Sequence, residues 1–309
     1  IKLDGNYPVG TGNVALGDVA LSNGSLSGGG NTAIGSYNLN SNTTGVSNSA
    51  FGYGPMGYNT SGSYNTALGS DTLKYNTTAS YNTAVGYQAG YSNTTGDNLT
   101  SVGTTAGYSN TTGRFNTNLG KNAGYSNQTG ANNTTVGNGT GYANTADSLT
   151  AIGSNAANAN TSGANNAAVG KEALTRNTTG ASIVAVGKDA LAYNTTASNN
   201  TAVGYQAGYS NTTGTEMVSV GKGAMYSNTT GNYNTAVGYQ TMRYNTTGSD
   251  NTAYGDEALR SNTSGDKNTV SGNIALYANT TGSNNVAFGM QALRYNTTAS
   301  SNTAVGYQA

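Results

Sequence analysis

The sequence lacks cysteine, histidine and tryptophan, and it has only two prolines and three phenylalanines. The absence of cysteine is consistent with an exported chain that needs no disulfides, although it fixes no compartment. No apolar run approaches the roughly 18 residues of a membrane span, and no signal-peptide pattern opens the chain. We therefore expect no membrane insertion in this segment.

Charge is also scarce, because 12 basic and 12 acidic residues give a net charge of zero. Charged residues make up 8% of the chain, against about one quarter of an ordinary globular domain. Such a chain offers no electrostatic footprint for nucleic acid or for an anionic membrane. It does contain 23 tyrosines and abundant Thr and Val, which favour β-sheet over disorder.

One glycine recurs with a period of about 17 residues, and we call it the phase glycine. The spacing is 17 except for one step of 18, from Gly17 to Gly35, and one of 16, from Gly137 to Gly153. A fixed period of this length is typical of a stacked solenoid. We predict an all-β parallel β-solenoid (β-roll) of about 18 coils. The phase glycines are Gly17, Gly35, Gly52, Gly69, Gly86, Gly103, Gly120, Gly137, Gly153, Gly170, Gly187, Gly204, Gly221, Gly238, Gly255, Gly272, Gly289 and Gly306.

Each coil has a regular pattern around this glycine, as in Thr83-Ala84-Val85-Gly86. The residue before the glycine is aliphatic or Phe in 16 of 18 coils, and the one before that is Ala in 13. The pattern predicts a short strand with Thr and Val on one face and Ala on the other. A second Ala, three residues after the glycine in 13 coils, predicts a second strand. The Asn-Thr-Thr-Gly segment between them predicts a turn.

Both changes of coil length fall in that turn, which places it at the outer edge of the coil. We expect an atypical N-terminal segment or partial coil over residues 1–12, then a continuous solenoid over 13–309 that stops in the middle of a coil. The expected core is thin, with about one Val-sized residue and two Ala in a coil. Oligomerisation that buries one strand face against other chains would supply the missing apolar area.

The Thr-Ala-Val-Gly core resembles the head repeats of trimeric autotransporter adhesins (YadA-like). The longer unit Asn82-Thr83-Ala84-Val85-Gly86-Tyr87-Gln88-Ala89, with its Ser-Asn-Thr-Thr-Gly turn, is similar to repeats of phage tail fibres and bacterial surface fibres. The resemblance covers residues 13–309 and implies a left-handed β-roll, a homotrimer and a role in attachment to surfaces. The repeat here is longer than the 14 or so residues of the adhesin heads.

An asparagine occupies the same turn position from Asn42 to Asn296 in 16 of 17 coils, and in 15 of them it begins Asn-x-Ser/Thr. One interpretation is a ladder of asparagines chosen for turn geometry and hydrogen bonds. The other is a row of N-glycosylation sites. The 15 residues are Asn42, Asn59, Asn76, Asn93, Asn110, Asn127, Asn160, Asn177, Asn194, Asn211, Asn228, Asn245, Asn262, Asn279 and Asn296.

Catalytic chemistry has little support, because there is no His or Cys and the carboxylates are scattered. The only adjacent pair, Asp256-Glu257, points to opposite faces if it lies in a strand. No repeated Asp supports a calcium-binding roll. The segment Gly52–Gly57 matches G-x-G-x-x-G, but no βαβ unit surrounds it, so a dinucleotide site is rejected. We expect no enzyme activity, cofactor or metal.

The sequence therefore predicts the shaft of an extracellular structural or adhesive fibre: a surface adhesin, an extracellular filament or a phage tail fibre. Its expected partners are copies of itself and a surface glycan or receptor, at a cell surface or on a virion. One alternative is a subunit that assembles end to end into a filament. Another is an ice-binding or carbohydrate-binding solenoid, because Thr recurs on one face and Tyr clusters near the phase glycine.

Overall fold

A computed structural model describes residues 11–309. Residues 1–10 of the predicted N-terminal segment lie outside the described residues. Residues 11–309 form a parallel β-solenoid of about 17 turns with 18 strands of three residues each, one in each coil. This part of the chain contains no helix, and so no helix that could cross a membrane. The solenoid divides into two compact units between Leu149 and Thr150.

The first unit holds eight parallel strands, in which each residue pairs with the residue at the same position of the next coil. They are β1 (Val14–Leu16), β2 (Thr32–Ile34), β3 (Ser49–Phe51), β4 (Thr66–Leu68), β5 (Thr83–Val85), β6 (Thr100–Val102), β7 (Thr117–Leu119) and β8 (Thr134–Val136). The second unit has ten strands with the same parallel pairing. They are β9 (Thr150–Ile152), β10 (Ala167–Val169), β11 (Val184–Val186), β12 (Thr201–Val203), β13 (Val218–Val220), β14 (Thr235–Val237), β15 (Thr252–Tyr254), β16 (Thr269–Ser271), β17 (Val286–Phe288) and β18 (Thr303–Val305).

Most strands alternate as their sequence predicts, with a small residue inside the coil and two larger residues outside. In β5, Ala84 is fully buried, whereas Thr83 is exposed and Val85 is half-buried. The middle residue is buried in every strand from β2 to β17. The prediction that Thr and Val share one face and Ala the other is confirmed.

The phase glycine ends the strand in a backbone conformation that other residues rarely adopt. Gly86 has a φ of 123°, and a Cβ atom there would lie 2.8 Å from the carbonyl oxygen of Gly103 in the next coil. Both the dihedral angle and the close approach require glycine. This explains why the same residue keeps the register of the repeat.

The predicted second strand is wrong. After the phase glycine the backbone turns, and two residues of the segment take positive φ, 54° at Gln88 and 60° at Gly90. Such dihedrals are incompatible with an extended strand. The segment still bonds to its neighbour, since the Gly90 N–H donates to the Ala106 carbonyl over 2.9 Å. Ala89 points inward and is fully buried, as a strand residue would have been.

The interior is narrow, and a large side chain at one interior position is accompanied by a small residue at a neighbouring position. Leu73 is fully buried four residues after its phase glycine, but the next coil has Gly90 at that position. Leu99 is buried beside Gly90, whose added Cβ would come within 3.2 Å of the Leu99 Cδ2. A larger side chain at one column therefore accompanies a glycine at another, as close packing requires.

The Asn-Thr-Thr-Gly turn lies only partly at the outer edge. In the turn from Asn93 to Gly96 the two threonines are half-buried and exposed, but the asparagine and glycine are buried. The Oγ1 of Thr94 donates to the carbonyl of Thr111 in the next coil over 3.0 Å. The turn is thus one side of the core as well as part of the surface.

Candidate binding surfaces

The turn asparagines form a hydrogen-bonded ladder inside the solenoid. Asn93 Nδ2 donates to Asn76 Oδ1 over 3.0 Å and to the carbonyl of Gly96 over 2.9 Å. Its own Oδ1 accepts from Asn110 Nδ2 over 2.8 Å. Within each unit the same arrangement recurs, and 14 of the 15 predicted residues are no more than 3% exposed. Asn296, the last member of the ladder, is half-buried and bonds to Asn279 over 3.2 Å.

This burial bears on the glycosylation hypothesis. Both hydrogens of the Asn93 amide nitrogen are already used, and the side chain is fully buried. A glycan on that nitrogen and the ladder therefore exclude one another at the same position. The geometry favours the turn-ladder interpretation, and glycosylation stays a prediction that the intact mass of native material tests.

A second asparagine ladder, which the sequence did not reveal as such, lies immediately before the strands. Asn48 Oδ1 accepts from the backbone N–H of Asn65 over 3.0 Å, and Asn65 Nδ2 donates to the carbonyl of Ala79 over 2.9 Å. Four coils replace this asparagine with a buried apolar residue. These residues are Leu99, Leu149, Ile183 and Met217. The recurring Asn-Thr-Ala unit was a signal for this ladder, but nothing in the sequence said that the polar side chain faces inward.

The outward side of the strands, here called the outer face, carries Thr at the first position of most strands and an aliphatic or aromatic residue at the third position of nearly all. Leu68 is 49% exposed, and Val203 is 38% exposed. Within each unit these residues form continuous columns, because the strands pair in register. The result is an uncharged β-sheet face that the single chain leaves open.

Tyrosines of successive coils stack into rows on another part of the surface. Ring centroids of Tyr91, Tyr108, Tyr125 and Tyr142 follow one another at 4.9–5.0 Å with interplanar angles of 2–4°. Their faces cover each other, so only the edges and hydroxyl groups point to solvent. A hydrogen bond with Tyr75, followed by burial, raises the pKa of Tyr91 to about 12. The rows are ladder packing rather than a set of open aromatic faces.

Arginine extends a similar row in the second unit. The Arg243 guanidinium lies 4.9 Å from the ring centroid of Tyr226 and 5.6 Å from that of Tyr244. Arg260 lies 5.0 Å from Tyr244 and 5.5 Å from Tyr277. Each guanidinium therefore occupies a position that tyrosine holds in other coils, and it lies near two tyrosine rings as cation–π geometry allows.

Several carboxylates of residues 11–309 form ion pairs with nearby cations. Glu257 Oε1 lies 3.2 Å from Arg260 Nε, and Asp189 Oδ2 lies 3.2 Å from Lys188 Nζ. Residues 11–309 contain no group of three or more His, Cys, Asp or Glu side chains that could hold a metal ion.

The G-x-G-x-x-G segment from Gly52 to Gly57 lies at a surface notch rather than in a nucleotide fold. Gly52 is a phase glycine at the end of β3, and the following residues form a turn. The notch has a volume of about 220 Å³.

No protein-family model matches this sequence, and neither a curated protein nor a solved structure shows a significant similarity to the chain.

Proposed function

We propose that the chain is the shaft of an extracellular structural or adhesive fibre at a cell surface or on a virion. In this proposal three copies pack side by side as left-handed β-rolls, and the shaft has no catalytic role. The proposal rests on the open outer face, where residues such as Leu68 and Leu119 are 49% and 45% exposed in the single chain. Contiguous exposed apolar columns are typical of interaction surfaces. The resemblance to adhesin and tail-fibre repeats supports the trimer and its handedness.

The fold also supports a mechanical role. Within each unit, nearly every coil repeats the same buried ladders and is bonded to the next coil through backbone and side chains. Solenoids of this kind derive their stability from contacts between neighbouring repeats. A length of such coils suits a stiff spacer between a surface and a binding tip.

The test of this proposal is the oligomeric state of the purified chain by sedimentation or native mass spectrometry. We expect a trimer that the substitutions Leu68→Lys and Leu119→Lys dissociate, because each introduces a charge into the buried interface. Thr95→Lys, on the exposed turn, is the matched control and should leave the trimer intact. A monomeric wild-type chain would contradict the trimer, and images that show end-to-end filaments instead would favour the filament alternative.

The exposed threonines of the outer face favour a second candidate, ice binding. Thr83 and Thr100 are directly paired in the sheet and both are exposed, so their hydroxyls repeat at about the 4.8 Å strand spacing. Thermal hysteresis and ice shaping by the purified chain test this function. Absence of both effects would exclude it, and loss of both in Thr83→Lys would support it.

A further inference from the structure

One coil differs from all the others by having glycine at two positions that line the notch, and both glycines are themselves buried. Gly54 and Gly57 lie two and five residues after the phase glycine Gly52, and every other coil carries a side chain at one or both of these positions. The next coil, for comparison, has Asp71 and Lys74 there. The missing side chains leave the notch of about 220 Å³.

The coils on either side supply two walls of the notch. Tyr37 and Asn40 come from the preceding coil, and Asp71 and Lys74 come from the following one. These coils lie about 9.6 Å apart, which is twice the strand spacing, so the gap between their side chains admits a single ring. In the orientation that its surroundings favour, the Asn40 amide nitrogen donates to the carbonyls of Tyr37 and Gly57 over 3.2 and 2.7 Å. This wall is therefore held in place by the backbone.

Two aromatic rings close the notch along its own coil. Tyr58 stacks one face on Tyr75, with centroids 5.0 Å apart and an interplanar angle of 10°. The preceding coil has Ser41 at the equivalent position, so no ring covers the opposite face of Tyr58. Tyr53 lies at the other end and meets Tyr37 edge to face at 5.5 Å. Unlike the stacked rows elsewhere, the notch exposes aromatic surface to a ligand.

A carboxylate and an ammonium group lie side by side in the notch. Asp71 Oδ1 is 3.0 Å from Lys74 Nζ, and the two side chains are 17% and 29% exposed. The pKa of Lys74 is raised, mainly by this hydrogen bond with Asp71. The pair has no net charge, and it offers one acceptor beside one donor. Adjacent hydroxyls of a sugar match this arrangement, because one can donate to the carboxylate while the next accepts from the ammonium group.

We propose that the notch binds one neutral pyranose residue of a glycan. The C–H faces of a pyranose pack against the negative faces of Tyr53 and Tyr58, and its hydroxyls bond to Asp71 and Lys74. The volume is below the roughly 300–1,000 Å³ of pockets that hold drug-sized ligands, so it fits one ring. This site goes beyond the proposed function, because a shaft needs no ligand.

The test is an NMR titration of the full chain with neutral methyl glycosides of glucose, galactose, mannose and N-acetylglucosamine. We expect at least one to bind with a dissociation constant on the order of 1 mM, as small ligands with few atoms do, and to shift the resonances of Tyr53 and Tyr58. Glucuronic acid and glucosamine, which carry a net charge, should bind more weakly.

Two variants fill the notch with residues that the repeat already uses at these positions. Gly54→Gln copies Gln88, which has a φ of 54° where Gly54 has 70°, and Gly57→Tyr copies Tyr91. Both should fold, and each should weaken glycoside binding at least tenfold. Gly223→Gln, at the position equivalent to Gly54 in another coil, is the matched control and should bind as the wild type does.

Three results would overturn the proposal: no glycoside binds the wild type, the filled variants bind equally well, or phenol binds where no glycoside does. Sedimentation of the same variants measures their oligomeric state, so that a loss of sugar binding can be told apart from a failure of the trimer proposal. The notch lies outside the outer face, so loss of sugar binding in a chain that is still trimeric concerns the notch alone.

Discussion

The buried turn asparagines and the half-buried tyrosine rows are both ladders with the period of the coil, but they tolerate change very differently. The asparagine position is Asn in 16 consecutive coils from Asn42 to Asn296. The position of Tyr91 holds Lys74 one coil earlier and Arg243 in another coil. Inside, each amide bonds to the amides of the two neighbouring coils and to a carbonyl of its own turn, so one replacement deprives three buried groups of a partner. At the surface, water and a range of side chains can take the place of a lost ring.

The largest loss of stability is expected on substitution of a phase glycine, because both the close approach of the next coil and the backbone dihedral angle require glycine there. In Gly221→Ala, the new Cβ would overlap the carbonyl oxygen of Gly238, at a φ of 129° that alanine rarely adopts. We expect a loss of at least about 4 kcal/mol in the free energy of unfolding, measured by denaturant titration and by hydrogen exchange of the flanking coils.

Gly231→Ala is the control for this substitution. A Cβ at Gly231 would also overlap a carbonyl oxygen, that of Gly248, but Gly231 does not need a positive φ and another coil accommodates a buried alanine, Ala197, at the same position. The change should therefore cost less than half as much as Gly221→Ala. Equal losses in the two variants would show that any added methyl group disrupts the coil, and that the phase glycine has no special conformational role.

The second largest effect separates the two asparagine ladders. Asn93→Leu removes the donor to Asn76 and to Gly96 and the acceptor for Asn110, with little change in side-chain volume. We expect a loss of about 2–4 kcal/mol in the free energy of unfolding, measured by the same denaturant titration.

Asn116→Leu, in the ladder before the strands, is the matched substitution. The preceding coil already has Leu99 at that position, where it packs beside Gly90. The cost should be less than half that of Asn93→Leu. If Asn116→Leu costs as much, the prediction is wrong, and the four coils with an apolar residue at this position must owe their stability to other contacts.

A smaller effect is expected in the tyrosine rows. Tyr108 stacks between Tyr91 and Tyr125, with both centroids 5.0 Å away. Tyr108→Ala should lower the free energy of unfolding by about 0.5–1.5 kcal/mol. Tyr108→Phe keeps the stacked ring and should lower it by much less. A loss as large as that of Asn93→Leu would contradict the comparison, because the rows would then be as important to the fold as the buried ladder.

The sequence was sufficient to predict the period, the parallel stacking and the inward alanine of each strand, since these follow from spacing and alternation. It was misleading after the phase glycine, where Ala89 suggested a strand. The missed signal is the variation two residues after the phase glycine, where some coils have glycine and others a larger residue, as Gly54, Asp71 and Gln88 show. Such exchange marks a positive φ, which glycine adopts freely and other residues adopt at some cost.

The inward direction of the asparagines could not be predicted, because polar residues in turns are usually exposed. Only the stacked coils show that each amide finds partners above, below and within its own turn, as Asn93 does. The notch illustrates the same limit. The spacing of Gly54 and Gly57 is visible in the sequence, but their shared surface and the nearby Asp71 become evident only when the coils are stacked.

The smallest effect concerns the ionisation of the tyrosine rows. Hydrogen bonds with Tyr75 and Tyr193 are the main causes that raise the pKa of Tyr91 and Tyr209 to about 12, above the ordinary tyrosine value of about 10. A raised pKa of an acid stabilises the fold below the unfolded pKa, and this contribution is lost as the pH rises from about 10 through about 12. Tyr75→Phe should therefore lower the pKa of Tyr91 and leave that of Tyr209 unchanged, and Tyr193→Phe should do the reverse. NMR titration of the phenol carbons measures both. An unchanged Tyr91 titration in Tyr75→Phe would assign the shift to burial instead, and would make the row a set of independent rings rather than a coupled ladder.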